Sequence, residues 1–394
     1  MAHRAFIVGA GNVGRGFLGQ VFSESGYQVV FVDVDRPLVE ALRSRGTYTI
    51  RLVDNAGRKD VLVGPVSGLL ASEAEDVAEA IAGAALGATA VGARALPAIA
   101  PLLAEGIRRR DERGTAEPLN IVVCENLVHA AETLKGLVAG YLPPAVRDYV
   151  DERVGFVDTV IGRMIPELPP ELRADDPSLI IAEPYKVLPV DRAGFRGVVP
   201  RIAGLEAADN FGVYTARKLY LHNAGHAVLG YLGHRKGIAL GYLALEDPDI
   251  RPILDAALDE ALRGIVSRYG ADEHWLRDHV ADLITRFANR ALADPITRLA
   301  RDPLRKLAPD DRLVGAARVA EYAGIVPVHL AWGIAAALAY DACTDPRALE
   351  LQGRIAAEGV ERVLADLCAI RPTEPLGTAV LVRYRLLCEG GAWA

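Results

Sequence analysis

Lysine is nearly absent from this chain. Of the 44 basic residues among its 394, only six are lysine, at positions 59, 135, 186, 218, 236 and 306; the rest are arginine. A chain that writes its positive charge as arginine draws attention to each lysine it keeps. Cysteine is also scarce: Cys124, Cys343, Cys368 and Cys388 are scattered without a C-x-x-C spacing. That excludes a disulfide scaffold and a cysteine-rich zinc site, and it points to a reducing cytoplasm. Aromatics make up 6%, so the cores must be built from aliphatic side chains and alanine. Positive charge is the minority, 44 basic against 51 acidic residues, for a formal charge of -7. This balance argues against a nucleic-acid or membrane-surface partner, although a local basic pocket remains compatible with it. No apolar run reaches the roughly 20 residues of a membrane-spanning helix. The opening MAHRAFIVGAGNVG is too short and too broken by glycine for a signal peptide.

What is present is ordinary globular composition, 51% hydrophobic and 24% charged, at a length that suggests two or three domains. In the first half, short apolar runs alternate with helical patterns. Strands are expected at 5–8, 28–32, 88–91 and 120–124, with helices at 13–25, 37–45, 96–110 and 127–140. The runs 48–53 and 60–63 read as a hairpin around Asn55-Ala56-Gly57, and 168–176 as an exposed connector. Strands separated by helices of this length imply an α/β, Rossmann-type domain with a mostly parallel, doubly wound sheet. From about residue 196 helical periodicity dominates, at 210–231, 250–269, 274–286, 312–322, 330–340 and 346–367. The division expected is a dinucleotide-binding domain over 1–195 and a mostly α-helical substrate domain over 196–394.

Gly9-Ala10-Gly11-Asn12-Val13-Gly14 matches G-x-G-x-x-G. It directly follows an apolar strand and opens a helix, and Asp33 ends the next strand 19 residues after Gly14. That context turns a weak pattern into a dinucleotide fingerprint. Gly9 permits the tight turn, Gly11 lets the backbone approach a pyrophosphate, and Gly14 lets helix and strand pack closely. Asp33 is expected to accept from the adenosine ribose hydroxyls and to favour NAD over NADP, with Arg36 nearby. Ala90-Val91-Gly92, at a later strand end, is a second candidate cofactor contact.

A nicotinamide cofactor needs a partner that moves the alcohol proton. The densest polar cluster of the second half is Lys218-Leu-Tyr-Leu-His222-Asn223-Ala-Gly-His226. His222 and His226 stand four apart, but a zinc site lacks the glutamate of H-E-x-x-H and a third ligand. Tyr214 and Lys218 have Tyr-x-x-x-Lys spacing but lie outside a nucleotide domain, with no serine upstream over 201–214. A lysine base with Asn and His partners is the third reading. At about 100° per residue, Lys218 and His226 fall about 80° apart on a helix, and Lys218 and Asn223 about 140°. A lysine gives up its proton when burial or a positive neighbour presses on it, which arginine does not. The bland alternative is a solvated helix lysine.

These blocks together resemble the polyol-specific long-chain dehydrogenases, most closely the branch that acts on mannitol 1-phosphate. The resemblance runs nearly end to end, through GAGNVGRGFLG (9–19), TAVGA (89–93), PLNIVVCEN (118–126), VGFVDTVIGRMIP (154–166), K-x4-N-x2-H at Lys218, Asn223 and His226, and DPLRKLAPDDRL (302–313). It implies an NAD-dependent, metal-independent interconversion of D-mannitol 1-phosphate and D-fructose 6-phosphate by a monomeric enzyme, with its site between two domains. Carried over by motif, Lys218 is the general base, Asn126 and Asn223 hold the developing alkoxide, and His226 orients substrate hydroxyls. Arg163, Arg305, Lys306 and Arg312 are candidates for the phosphate, each equally readable as an ion-pair partner. The chain departs from the resemblance at Gly162, where the family carries Asp, at Leu188, near a family Trp, and at Thr215-Ala216, where a Glu is usual. A related polyol, sugar phosphate, aldonate or uronate is the alternative substrate, and a non-catalytic nucleotide sensor the alternative class.

Overall fold

A computed structural model of the chain describes residues 3–390; residues 391–394 of the expected second domain lie outside it. The chain divides into two compact units between Phe211 and Gly212.

In the first unit the strands are β1 (Arg4–Val8), β2 (Gln28–Asp33), β3 (Tyr48–Asp54), β4 (Gly57–Val63), β5 (Val66–Leu70), β6 (Leu86–Thr89), β7 (Leu119–Val123), β8 (Val154–Asp158), β9 (Ile180–Ala182), β10 (Leu188–Asp191) and β11 (Leu205–Ala208). Six of them form one parallel sheet in the order β5-β2-β1-β6-β7-β8. The order runs outward from β1 through β2 to β5 and then restarts on the other side with β6. That reversal beside β1 is the switch point at which an open α/β sheet takes its ligand. Alternate residues feed two cores: Ile7, Phe31, Ala88 and Val122 on one face, Phe6, Val8, Ile121 and Val123 on the other. Burial on both faces is why these strands read as unbroken apolar runs. Gly87 in β6 leaves room for the Phe6 ring, which a Cβ would meet at 2.3 Å.

The hairpin β3–β4 forms as expected, and β9 joins it in parallel, pairing Ile50 with Ile180. The β10–β11 pair moves the boundary. Leu188 pairs with Leu205 and Asp191 with Ala208, so the stretch after 196 closes a parallel ladder and belongs to the first unit. The expected connector 168–176 contains a short helix, Pro170–Asp175, and buries Leu168.

The second unit is helical; among the described residues its only β feature is a bridge between Leu240 and Pro295. Ile250–Tyr269, Glu273–Phe287, Val314–Tyr322 and Leu330–Leu338 lie where periodicity puts them. The stretch expected as one helix over 346–367 is two, Pro346–Glu358 and Val360–Cys368. Gly359 separates them at φ 84°, a conformation a helix cannot contain. Among the described residues no helix is long and apolar enough to cross a membrane.

Candidate active site

The glycine-rich turn lies at the carboxyl end of β1, at the switch point. Gly9 has φ +98°, and a Cβ there would sit 2.4 Å from the Ala90 carbonyl oxygen. At Gly14 a Cβ would lie 1.9 Å from the Gly9 oxygen, so helix and turn touch through bare backbone. Gly11 is exposed and has nothing within 4 Å of its missing Cβ, which leaves the open approach a pyrophosphate needs. Asn12 and Val13 begin the helical run that follows, half-buried. Asp33 ties this turn to β2: Ala10 N–H donates to Oδ2 at 2.6 Å, and Val34 and Asp35 N–H donate to Oδ1 at 2.7 and 3.0 Å. A carboxylate has about four acceptor positions, so capacity remains for a ribose hydroxyl. Arg36 is engaged by Glu40 at 3.6 Å in an exposed pair.

The helix behind the turn is wound as a π segment over Gly14–Gly19. Two buried groups take carbonyls there: the Tyr48 hydroxyl donates to the Arg15 oxygen at 2.6 Å, and Arg163 Nη1 to the Gly16 oxygen at 2.8 Å. Side chains inserted into a helical ladder are a recognised cause of such irregularity. Arg15 in turn reaches Ala10, Pro177 and Ser178 carbonyls at 2.5, 3.0 and 2.6 Å. Burial pulls the guanidinium groups of Arg15 and Arg163 down to about 10.

Arg163, a candidate for the substrate phosphate, is engaged within the first unit. It is buried, and besides Gly16 it donates to the Glu183 carbonyl at 2.6 Å and Gln20 Oε1 at 2.8 Å. Its charge is spent inside the nucleotide unit.

At the carboxyl ends of β6 and β7, Ala90-Val91-Gly92 lies outside the sheet, since β6 ends at Thr89. Glu125, which sequence reasoning passed over, holds this turn: Val91 N–H donates to Oε1 at 3.0 Å and Gly92 N–H to Oε2 at 2.7 Å. Burial pushes the Glu125 carboxyl above its usual range, opposed by those N–H groups. Asn126 follows directly and is exposed. One buried carboxylate thus ties the turn expected to touch the cofactor to the residue expected to touch the substrate oxygen.

In the second unit Lys218–Asn223 is again a π segment, between the helices Phe211–Arg217 and Ala224–Arg235. An i→i+5 turn brings residues five apart together. Lys218 Nζ donates to Asn223 Oδ1 at 2.7 Å, a contact the 140° of a regular α-helix disfavours. His226 stacks on Phe287, centroids 4.1 Å apart at 28°, and meets the edge of His222 at 4.9 Å. Burial, Lys218 and other cations hold His222 and His226 well below the usual imidazole range. Burial with Arg217, Arg286 and Lys218 pushes His279 down to about 3. All three are neutral imidazoles at physiological pH. Among the described residues no group of three or more His, Cys, Asp or Glu forms a metal-ligand cluster. Tyr214 packs edge-on against Trp275 at 5.2 Å, and both rings stack with Arg217.

The cluster Arg305, Lys306 and Arg312 divides. Lys306 is buried, donates to the Leu299 carbonyl, and is pressed well below the usual ammonium range by burial and the two arginines. Arg305 and Arg312 share Asp311, Arg312 Nε at 2.6 Å and Arg305 Nη1 at 3.9 Å. The Arg305 side chain is 43% exposed, which leaves donors facing solvent. Of the departures, Leu188 is fully buried in β10, Ala216 is 2% exposed where an acidic side chain would be buried, and Gly162 faces the Tyr185 ring.

A parallel sheet in this order, with a glycine turn and an acid at the next strand end, defines a Rossmann-type dinucleotide-binding fold. The comparisons agree. Residues 3–204 match the mannitol dehydrogenase Rossmann domain and residues 210–367 the mannitol dehydrogenase C-terminal domain. The chain belongs to the mannitol dehydrogenase family and is an oxidoreductase. It is 41% identical to a mannitol-1-phosphate 5-dehydrogenase of Bacillus velezensis over 374 residues, 95% of this chain and 97% of that one. With the Bacillus subtilis protein of the same name it shares 39% over the same coverage. A solved Pseudomonas fluorescens mannitol 2-dehydrogenase, in ternary complex with NAD and D-mannitol, shares the fold at TM-score 0.78 and 18% identity. That likeness covers 99% of this chain and 93% of the other.

Proposed function

We propose that the chain interconverts D-mannitol 1-phosphate and D-fructose 6-phosphate with NAD as hydride carrier and a lysine, rather than a metal, acting on the hydroxyl. The observation that carries the reading is the Lys218–Asn223 hydrogen bond of 2.7 Å in a chain at 41% identity to a protein of that activity. The open, Cβ-free turn at Gly9 and Gly11 and the carboxylate of Asp33 suit an adenine dinucleotide lacking a 2′-phosphate. When bound, the nicotinamide supplies or accepts the hydride.

Lys218 takes the hydroxyl proton at Nζ. Because Asn223 Oδ1 accepts from Lys218, its Nδ2 amino group is the part left to donate to the developing alkoxide. Asn126 is the second such donor. His226, uncharged, offers one nitrogen as donor and one as acceptor to substrate hydroxyls. Arg305, with Arg312 behind the shared Asp311, is the phosphate contact. The same reading makes the protein a cytoplasmic monomer, which sedimentation of purified material tests.

Purified protein mixed with fructose 6-phosphate and NADH should lose the absorbance of the reduced cofactor, and NADPH should serve poorly. A preference for NADPH would refute the role given to Asp33. The departures at Gly162, Leu188 and Thr215-Ala216 favour one alternative, a related polyol, sugar phosphate, aldonate or uronate. Turnover of such a compound in place of fructose 6-phosphate would establish it. Tight NADH binding with no turnover of any panel member would establish a sensor.

A further inference from the structure

We propose that Phe287 sets the plane of the His226 imidazole, with His222 and Gly225 completing a cradle around that ring, and that all three are positioning residues. The inference rests on the reading of His226 as a substrate-side group.

Three observations support it. First, Phe287, the last residue of Glu273–Phe287, presents its face to His226, with centroids 4.1 Å apart and planes at 28°. Second, His222 closes the arrangement edge-on, at 4.9 Å and 75° to His226 and at 5.8 Å and 83° to Phe287. A ring held by a face on one side and an edge on another has little freedom to rotate and exchange the directions of its two nitrogens. Third, a Cβ on Gly225 would lie 2.9 Å from Phe287 Cε2, closer than carbon atoms normally approach. A helix-interior glycine costs about 1 kcal/mol relative to alanine. Here it keeps the space that the Phe287 ring occupies, which gives a physical reason for glycine directly before His226.

Phe287 and His222 are buried, whereas His226 as a residue is half-buried. Burial, with the permanent charges of Arg298 and Arg286 nearby, holds the His226 imidazole well below its usual range. A neutral imidazole has one donor and one acceptor nitrogen, and only a fixed ring plane presents them to the correct hydroxyls of a polyol chain. The second unit thus orients the substrate through a residue that carries no polar atom.

The test replaces Phe287 and reads both the imidazole and the kinetics. In histidine-labelled protein, the ring protons of His226, assigned through His226→Gln, should carry an upfield displacement from the Phe287 ring current. Phe287→Leu keeps bulk and removes the aromatic face. It should abolish that displacement and lower kcat/KM for fructose 6-phosphate about tenfold or more while NADH affinity holds. Phe287→Tyr, which keeps the face, should restore both. Gly225→Ala should move the same resonance by displacing the ring, which keeps the test open if the leucine variant does not fold. Unchanged His226 resonances and unchanged kcat/KM in a folded Phe287→Leu protein would overturn the inference. If wild-type protein does not turn over fructose 6-phosphate, the reaction reading fails, while the resonance comparison still decides this one.

Discussion

Arg217 and Lys218 are neighbours with the same formal charge and different surroundings. The Arg217 guanidinium lies 4.3 Å from the Trp275 ring centroid and 4.9 Å from that of Tyr214, where a flat, permanent cation packs well. Lys218 instead ends on an amide oxygen. If Lys218 moves a proton, charge alone cannot replace it, because a guanidinium does not deprotonate in the working range. Lys218→Arg is therefore expected to lower kcat by about 10²- to 10⁴-fold, the usual share of a general base. NADH affinity, measured by fluorescence, should persist; retained turnover would show that the base lies elsewhere. The scarcity of lysine singled out this position only in part. Lys135, Lys186 and Lys236 are ordinary ion-pair partners, and Lys306 is buried against a carbonyl. Asn223 beside Lys218 is what separates it from those four. Glu125 shows the opposite case, a residue with no legible mark, because its value depends on N–H groups 33 and 34 residues away.

At the scale of elements, long periodic helices were legible because an amphipathic face repeats over many turns. Ile250–Tyr269 is such a case. Short pieces were not: the three-residue β9 and four-residue β10 and β11 carry too little pattern to stand apart from loops. The two π segments were hidden for another reason. A reading at 3.6 residues per turn assumes the geometry that fails at Gly14–Gly19 and Lys218–Asn223. The first receives hydrogen bonds from side chains distant in sequence, Tyr48 and Arg163. Tyr48→Phe removes the hydroxyl that satisfies the Arg15 carbonyl and should cost about 1–3 kcal/mol of stability, the penalty for an unpaired buried group. Urea unfolding measures that loss, and NADH affinity should weaken with it. An unchanged midpoint would show that the π winding does not need Tyr48.

For the whole molecule, pH dependence follows from the imidazoles of the second unit. His222 and His226 lie well below the usual value in the folded chain and His279 at about 3, while unfolding returns each to about 6.5. Between those limits the unfolded chain binds more protons, so stability is complete above about pH 6.5 and declines as pH falls, by about 1.4 kcal/mol per unit for each imidazole. Glu125 and Asp158, raised by burial, act in the opposite sense nearer their own range. Urea midpoints compared at pH 7.5 and about pH 5.5 should therefore fall towards acid, and less steeply in His279→Gln. A flat profile would mean that these rings charge freely in the folded state.

The β10–β11 ladder has a practical consequence for recombination. Because β11 ends at Ala208 and the next helix begins at Phe211, only Asp209 and Asn210 separate the last strand from the helix that leads to Lys218. A chimera that borrows its helical half from a relative would sever a sheet if joined near 196. Joined at 209–210, it would exchange whole modules.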